Sequence, residues 1–410
     1  MTSDNGSVPS VRIPIALPEG VSQETIGVRG GLLRSGFDET AEGLYLTSGY
    51  VYDSAAEAEK AFTGEIDRFV YSRYGNPTVQ MFEERLRLIE GAEAAFATSS
   101  GMAAVFTGLG ALLGAGDRLV AGRSLFGSCF VVCNEILPRW GVETEFVDGT
   151  DLDQWERALS KPTKAVFFET PSNPMQSLVD IAAVSEMAHA AGAKVVLDNI
   201  FATPLLQQGL PLGVDVVIYS GTKHIDGQGR VLGGAILGDK EYIDGPVQTL
   251  MRHTGPALSP FNAWVLLKGL ETLSVRVNYS TASALRVAEF LDGHPSVRWV
   301  RYPFHASHPQ HDLAIRQMSG GGTVVTFELD APEGGGKQRA FEVLDKLSVI
   351  DISNNLGDSK SLITHPATTT HRAMGPEGRA AIGLGDGVVR ISVGLEGTED
   401  LIADLDRALS

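Results

Sequence analysis

Cysteine is nearly absent from this sequence. Cys129 and Cys133 are the only two in 410 residues. Two are too few for a disulfide framework, and a four-residue spacing sets both on one face of a helix. They read as small buried apolar residues, and the compartment as reducing and cytoplasmic. Positive charge is also scarce. Against 50 Asp and Glu stand 33 Lys and Arg, a net charge of −17. Such a surface repels phosphate backbones and anionic lipid, which argues against nucleic-acid and membrane roles. It does not exclude small anions, because a few arginines can reverse the sign inside a pocket. No uninterrupted apolar run of about 18 residues occurs, so no membrane span is expected. The N-terminus shows no basic segment leading into an apolar stretch, so no signal peptide is expected. Nucleotide-binding glycine motifs are missing too. Gly108-x-Gly110-x-x-x-Gly114 has the wrong spacing for a dinucleotide loop and lies late in a helical run, and no P-loop motif is present. No metal site is expected: His305, His308 and His311 are spaced by three through Pro309, which builds a polar loop rather than a regular helix.

What is present reads as a globular α/β protein. The chain is 43% apolar and 20% charged, and its length implies more than one domain. Residues 1 to about 25 are polar, and 1–75 as a whole read as an N-terminal arm. Short β-branched runs then alternate with helical periodicity. The strand candidates are Ala94–Thr98, Arg118–Ala121, Thr144–Val147, Ala165–Glu169, Lys194–Asp198 and Val214–Tyr219. Helical patterns at Met102–Leu113 and Ala182–Ala191 lie between them. This alternation predicts a mostly parallel sheet over residues 76–258. Residues 259–410 read as a smaller α+β domain. Helices are expected at Ser259–Tyr279, opened by Ser259-Pro260, and at Thr281–Leu291, Gln338–Leu347 and Thr398–Ala408. Strands are expected at Thr323–Glu328 and Val388–Val393.

In parallel sheets ligands collect at the carboxyl ends of strands. Asp198 ends one candidate strand. Ser220, Thr222 and Lys223 follow another. Each alone has an ordinary explanation as a turn former or solvated side chain. Together they suit pyridoxal phosphate (PLP). An acid holds the pyridine nitrogen protonated, a lysine forms an imine, and hydroxyls bond the phosphate. Upstream, Ser99-Ser100-Gly101-Met102 opens a helix after a strand, which is a second element suited to an anion.

At this point a family becomes recognisable. The segments Tyr71–Thr78, Ser100–Ala104, Glu169–Pro174, Ser220–Lys223 and Arg390–Glu396 together resemble the Cys/Met-metabolism PLP-dependent enzymes, in that family's order. The resemblance implies the aspartate-aminotransferase type of fold and a homotetramer built from dimers that share active sites. It implies that Lys223 carries the cofactor and moves protons and that Asp198 pairs with the pyridine nitrogen. Gly101, Met102, Ser220 and Thr222 would hold the phosphate, and Tyr71 and Arg73 would reach the phosphate of a neighbouring subunit. Arg390 would bind the substrate α-carboxylate, and Asn173 would lie near the cofactor 3′-oxygen. Phe126 stands where many members stack a tyrosine on the ring. Asn355 stands where lyases often carry serine, and is expected at the substrate. The stretch His224–Gly234 resembles the sulfhydrylase branch, which implies an amino-acid substrate, O-succinylhomoserine, with sulfide as nucleophile, and homocysteine as product. Cysteine as nucleophile, an acetyl leaving group and γ-elimination stay open. Outside the family, a nicotinamide dehydrogenase lacks its glycine motif, and a non-catalytic binding protein leaves Lys223 and Asp198 unexplained. Arg230 is open between two roles: a partner for the succinyl carboxylate, or an ion pair fixing the glycine-rich loop.

Overall fold

The computed structural model describes residues 17–410; the first 16 residues of the expected polar arm lie outside the described residues. Two sheets organise the chain. The larger has seven strands: β1 (Ala94–Thr98), β2 (Arg118–Gly122), β3 (Glu143–Val147), β4 (Ala165–Glu169), β5 (Lys194–Asp198), β6 (Val216–Ser220) and β7 (Gly234–Gly238), in the order β1-β7-β6-β5-β4-β2-β3. Only β7 runs against the others. The mostly parallel sheet is thus as expected, and six of its seven strands fall where expected. β7 was not foreseen. It reads Gly234-Ala235-Ile236-Leu237-Gly238, too short and too glycine-bounded to stand out as a strand.

Both faces of this sheet are covered, which is why its strands are apolar at nearly every position. Val217 and Tyr219 pack into one core with Val195, Leu197 and Val166. Val216 and Ile218 pack into the other with Val196, Phe167 and Leu119. The strict alternation has a chemical consequence. Glu169, Asp198 and Ser220 end their strands on the face of the second core. Glu169 pairs with Asp198 in register across β4 and β5.

The smaller sheet has the strands β8 (Val297–Arg301), β9 (Val324–Leu329), β10 (Asp351–Ile352), β11 (Leu362–Thr364) and β12 (Val388–Ser392), in the order β10-β11-β12-β9-β8. In β12, Val389 and Ile391 face the apolar core with Phe327 and Leu401. Arg390 between them therefore points the other way, and it is buried. The division at Ser259 remains our proposal. Leu266, Leu270 and Val277 pack on the large-sheet core, whereas the small-sheet core takes residues from Ala284 onward.

The long helices after Ser259 differ from expectation. They are Pro260–Glu271 and Leu273–Asp292, so the break falls at Thr272 and not near Ser280. Arg276 explains it. Its guanidinium folds back onto the carbonyl of Gly269 (2.7 Å) and the hydroxyl of Thr272 (3.1 Å), and also takes the carbonyl of His224 (2.7 Å). Carbonyls freed by the break are thereby satisfied, and the helix is clamped to the turn that carries Lys223. Glycine is required at 269, where an added Cβ would lie 2.2 Å from the carbonyl oxygen of Ile225. The expected helix at Met102–Leu113 is Gly101–Gly110, ending among its own glycines. Cys129 and Cys133 are free, buried and in one apolar core, as expected. Among the described residues no helix is long and apolar enough to cross a membrane.

Candidate active site

A cavity of about 600 Å³ opens where the carboxyl ends of β4, β5 and β6 meet β12. Its walls include Gly101, Met102, Phe126, Glu169, Asn173, Asp198, Ser220, Thr222, Lys223 and Arg390. Of the twelve site residues expected from sequence, nine line this one cavity. Asn355 joins them through its side chain: Lys223 Nζ donates to Asn355 Oδ1 at 2.5 Å. Within one chain Tyr71 and Arg73 are elsewhere. Arg73 lies beside the rings of Tyr71 and Tyr74 and donates to the carbonyl of Arg252, at the edge of a second cavity.

Lys223 sits in the turn Gly221–Ile225, directly after β6, with backbone angles that depart from helix (φ −92°, ψ −124°). Burial, and secondarily the positive charge of Arg390, lower its amine to about 8. Near neutrality a usable fraction is therefore uncharged and nucleophilic. Cofactor capture by the apoprotein should accelerate as pH rises through about 8 and then level off, because only the deprotonated amine attacks. A stopped-flow absorbance series across pH checks this; a rate still climbing towards pH 10 would mean an ordinary solvated lysine.

Asp198 is buried, and burial pushes its carboxyl up to about 7. Its one hydrogen bond among the described residues comes from the Ile200 N–H at 3.2 Å. A cationic ring nitrogen is the partner such a carboxylate lacks. Opposite it, Ser100 caps the helix Gly101–Gly110 by accepting from the Ala103 N–H at 3.1 Å. The N–H groups of Gly101 and Met102, in the helix's first turn, are left for an anion. Glycine is needed at 101 because an added Cβ would lie 2.6 Å from the Ser220 Cβ. Two N–H groups at a helix start, two hydroxyls, a buried acid and a lysine on the walls of one cavity fit PLP.

Arg390 is fully buried. It donates to Asn173 Oδ1 (2.9 Å) and to the carbonyls of Asn354 (2.9 Å) and Asn355 (3.2 Å). Its Nε has no hydrogen-bond partner. Burial lowers it to about 10, partly offset by Glu169, so it remains a cation at neutral pH. Glu169 is a site residue that sequence reasoning quoted in a motif without giving it a role. It accepts from the backbone N–H of Phe126 (2.7 Å) and of Asn173 (3.1 Å), and so ties together two cavity walls. Burial, then the nearby Asp198, raise its carboxyl well above the usual range. Asn354, Thr369 and Thr370 also line the cavity and were missed, as was His371, which is not on the cavity wall but is buried and bonded to the Asn173 carbonyl at 3.0 Å. Its distance from the other motifs hid it.

Among the described residues no cluster of three or more His, Cys, Asp or Glu side chains is placed to hold an ion. His308 is also not a solvated loop residue. It is buried against the Gln176 carbonyl at 3.0 Å. Arg230 forms an ion pair with Asp226. Its Nε and backbone N–H donate to the two carboxylate oxygens of buried Asp226, at 2.8 and 2.6 Å. Arg230→Ala should therefore cost about 1–3 kcal/mol of stability, by stranding a buried acid, and leave KM for O-succinylhomoserine within about twofold. A thermal melt and a KM measurement check this; a large KM rise at unchanged stability would instead put Arg230 at the acyl group.

A family model for the Cys/Met metabolism PLP-dependent enzymes matches residues 24–410. The chain belongs to that family. It is PLP-dependent, and its fold is the type I PLP-transferase fold. Over 401 residues it is 84% identical to the O-succinylhomoserine sulfhydrylase of Mycobacterium tuberculosis, covering 98% of this chain and 99% of the relative. The enzyme of that name from Pseudomonas aeruginosa is 47% identical over 392 residues, 96% of each chain. Among solved structures, a Campylobacter jejuni chain carrying N'-pyridoxyl-lysine-5'-monophosphate superposes with a TM-score of 0.90 at 32% identity, covering 95% of this chain and all of that one. A cystathionine γ-synthase from Xanthomonas oryzae pv. oryzae, in complex with aminoacrylate and cysteine, superposes with a TM-score of 0.90 at 34% identity, covering 96% and 98%.

Proposed function

We propose that this member of the family replaces the succinyl group of O-succinylhomoserine with sulfide, giving homocysteine and succinate for methionine biosynthesis. The observation that carries the reading is the 84% identity, over nearly both full chains, to a protein named for that reaction. Phe126 on the cavity wall, in place of a tyrosine, is in keeping with it.

When bound, PLP supplies an electron sink for charge that develops on the substrate's carbon chain. The protein supplies the rest. Arg390 offers a fixed cationic fork to the α-carboxylate, and Asn173 holds that fork in place. Asp198 would pair with the ring nitrogen and favour its protonated form. Gly101, Met102, Ser220 and Thr222 would hold the phosphate. Lys223 takes the proton from Cα and later returns it, since its amine is near neutral pH and positioned by Asn355. Phe126 contributes no hydroxyl, so proton traffic at Cβ falls to Lys223 and water. The C–O bond at Cγ breaks with its electron pair leaving on succinate, and sulfide forms the new C–S bond at that carbon.

The second copy is part of the proposal. Tyr71 and Arg73 lie outside the Lys223 cavity of their own chain, with Tyr71 exposed. That position supports the reading in which they complete a partner's phosphate site in a cytoplasmic homotetramer of active-site-sharing dimers. Purified protein given O-succinylhomoserine and sulfide should release homocysteine and succinate in equal amounts. Release of a keto acid and ammonia from O-succinylhomoserine with sulfide present would instead assign it to γ-elimination.

A further inference from the structure

Behind the large sheet, on the face away from the cavity, a buried polar chain links the ends of three strands. Thr170 follows Glu169, Asn199 follows Asp198, and Tyr219 precedes Ser220, so alternation places each on the opposite side from its cavity neighbour. Gln207 Nε2 donates to the Thr170 carbonyl (2.8 Å) and to Asn199 Oδ1 (2.9 Å). Asn199 Nδ2 donates to the Tyr219 hydroxyl (2.7 Å), and that hydroxyl donates to Glu90 Oε2 (2.6 Å). Thr170, Asn199, Gln207, Tyr219 and Glu90 are all at most 2% exposed. None of them lines the cavity.

We propose that Tyr219, Asn199 and Gln207 are positioning residues that fix the spacing of Asp198 and Ser220, and thereby the geometry with which the protein grips the two ends of the cofactor. Asp198 must meet the ring nitrogen while Ser220 meets the phosphate, and the two sit at the ends of adjacent strands β5 and β6. Backbone pairing between these strands runs only from Val196–Val216 to Asp198–Ile218. At its end the Asn199 N–H donates to the Ile218 carbonyl (3.2 Å), and the side-chain bond from Asn199 to Tyr219 adds a second cross-strand link that braces β6 and its following turn against β5. Glu90 ends the helix Pro77–Glu90, and burial raises its carboxyl to about 8. The chain is thus anchored on a mostly neutral acid at neutral pH and buries no net charge there. Glu90 Oε1 has no hydrogen-bond partner among the described residues, but the links from Thr170 to Glu90 Oε2 are all made, and in a buried chain of this kind one missing link leaves its neighbours unsatisfied.

The inference rests on Asp198 and Ser220 facing the cofactor, so the test carries a control for that. Cofactor dissociation constants and the pH titration of the bound cofactor's absorbance are measured for the full-length protein and its variants. Tyr219→Phe removes one hydroxyl and keeps the volume. It should keep wild-type secondary structure, weaken PLP binding by about tenfold and displace the absorbance titration. Glu90→Gln keeps an acceptor for Tyr219 and should behave as wild type. Gln207→Met, which cuts the link between Thr170 and Asn199, should repeat the Tyr219→Phe phenotype, and serves as the test if Tyr219→Phe does not fold. Asp198→Asn is the control. If it shifts affinity and spectrum while Tyr219→Phe and Gln207→Met bind and titrate as wild type, the positioning role is overturned. If Asp198→Asn is silent too, the placement of the cofactor itself is wrong and the inference falls with it.

Discussion

Lys223→Ala should abolish turnover and remove the visible absorbance of the bound cofactor. Two losses coincide in that one side chain. The covalent anchor disappears, and so does the amine that moves the Cα proton. A positioned general base alone is worth roughly 10²–10⁴ in rate, so with the nucleophile also gone the fall should reach about 10⁴ or more. Phe126 has no hydroxyl to stand in, and among the described residues the cavity walls offer no other amine. Asn355→Ala separates the two losses. It takes away the acceptor 2.5 Å from Nζ and leaves the amine, so colour should persist while the rate drops. A Lys223→Ala protein that stays coloured and active would mean that another residue binds the cofactor.

Arg390→Lys should raise KM for every amino-acid substrate by about 100-fold, irrespective of the acyl group. The guanidinium is buried and has an unused Nε. Its other nitrogens are fixed by Asn173, Asn354 and Asn355. Lysine keeps the charge but loses the planar fork, and no longer satisfies those oxygens. Two lost charge-assisted hydrogen bonds correspond to a few kcal/mol, hence about two orders of magnitude in binding. Steady-state kinetics with O-succinylhomoserine and O-acetylhomoserine checks this. A rise confined to the succinyl substrate would move Arg390 from the α-carboxylate to the acyl end.

The cavity was legible in the sequence where chemistry follows directly from strand ends. Asp198, Ser220, Thr222 and Lys223 lie within a few residues of recognisable β-branched runs, and Ser100-Gly101 opens an evident helix. Contacts that depend on tertiary approach were not legible. No local pattern could show that Glu169 reaches the Phe126 and Asn173 amides, or that His371 reaches the Asn173 carbonyl. The chain linking Glu90, Thr170, Asn199, Gln207 and Tyr219 draws on four separate segments, and each of its members reads alone as an ordinary polar residue beside a strand or helix end. Two differences have local causes. β7 escaped because glycines bound a run of only three apolar residues. The helix break at Thr272 was set by Arg276 reaching back to Gly269, against an apolar periodicity that continues through it. Arg230 is the intermediate case. Its partner Asp226 is four residues away, near enough to suggest the pair, yet the burial of Asp226 is a tertiary fact that the spacing does not show.

The central claim is the identity of the leaving group and of the nucleophile. One steady-state comparison tests it most directly: kcat/KM for O-succinylhomoserine and O-acetylhomoserine, each with sulfide and with cysteine. The pairing of O-succinylhomoserine with sulfide should be the fastest of the four and should yield homocysteine. Faster thioether formation from cysteine, or preference for the acetyl ester, would contradict it.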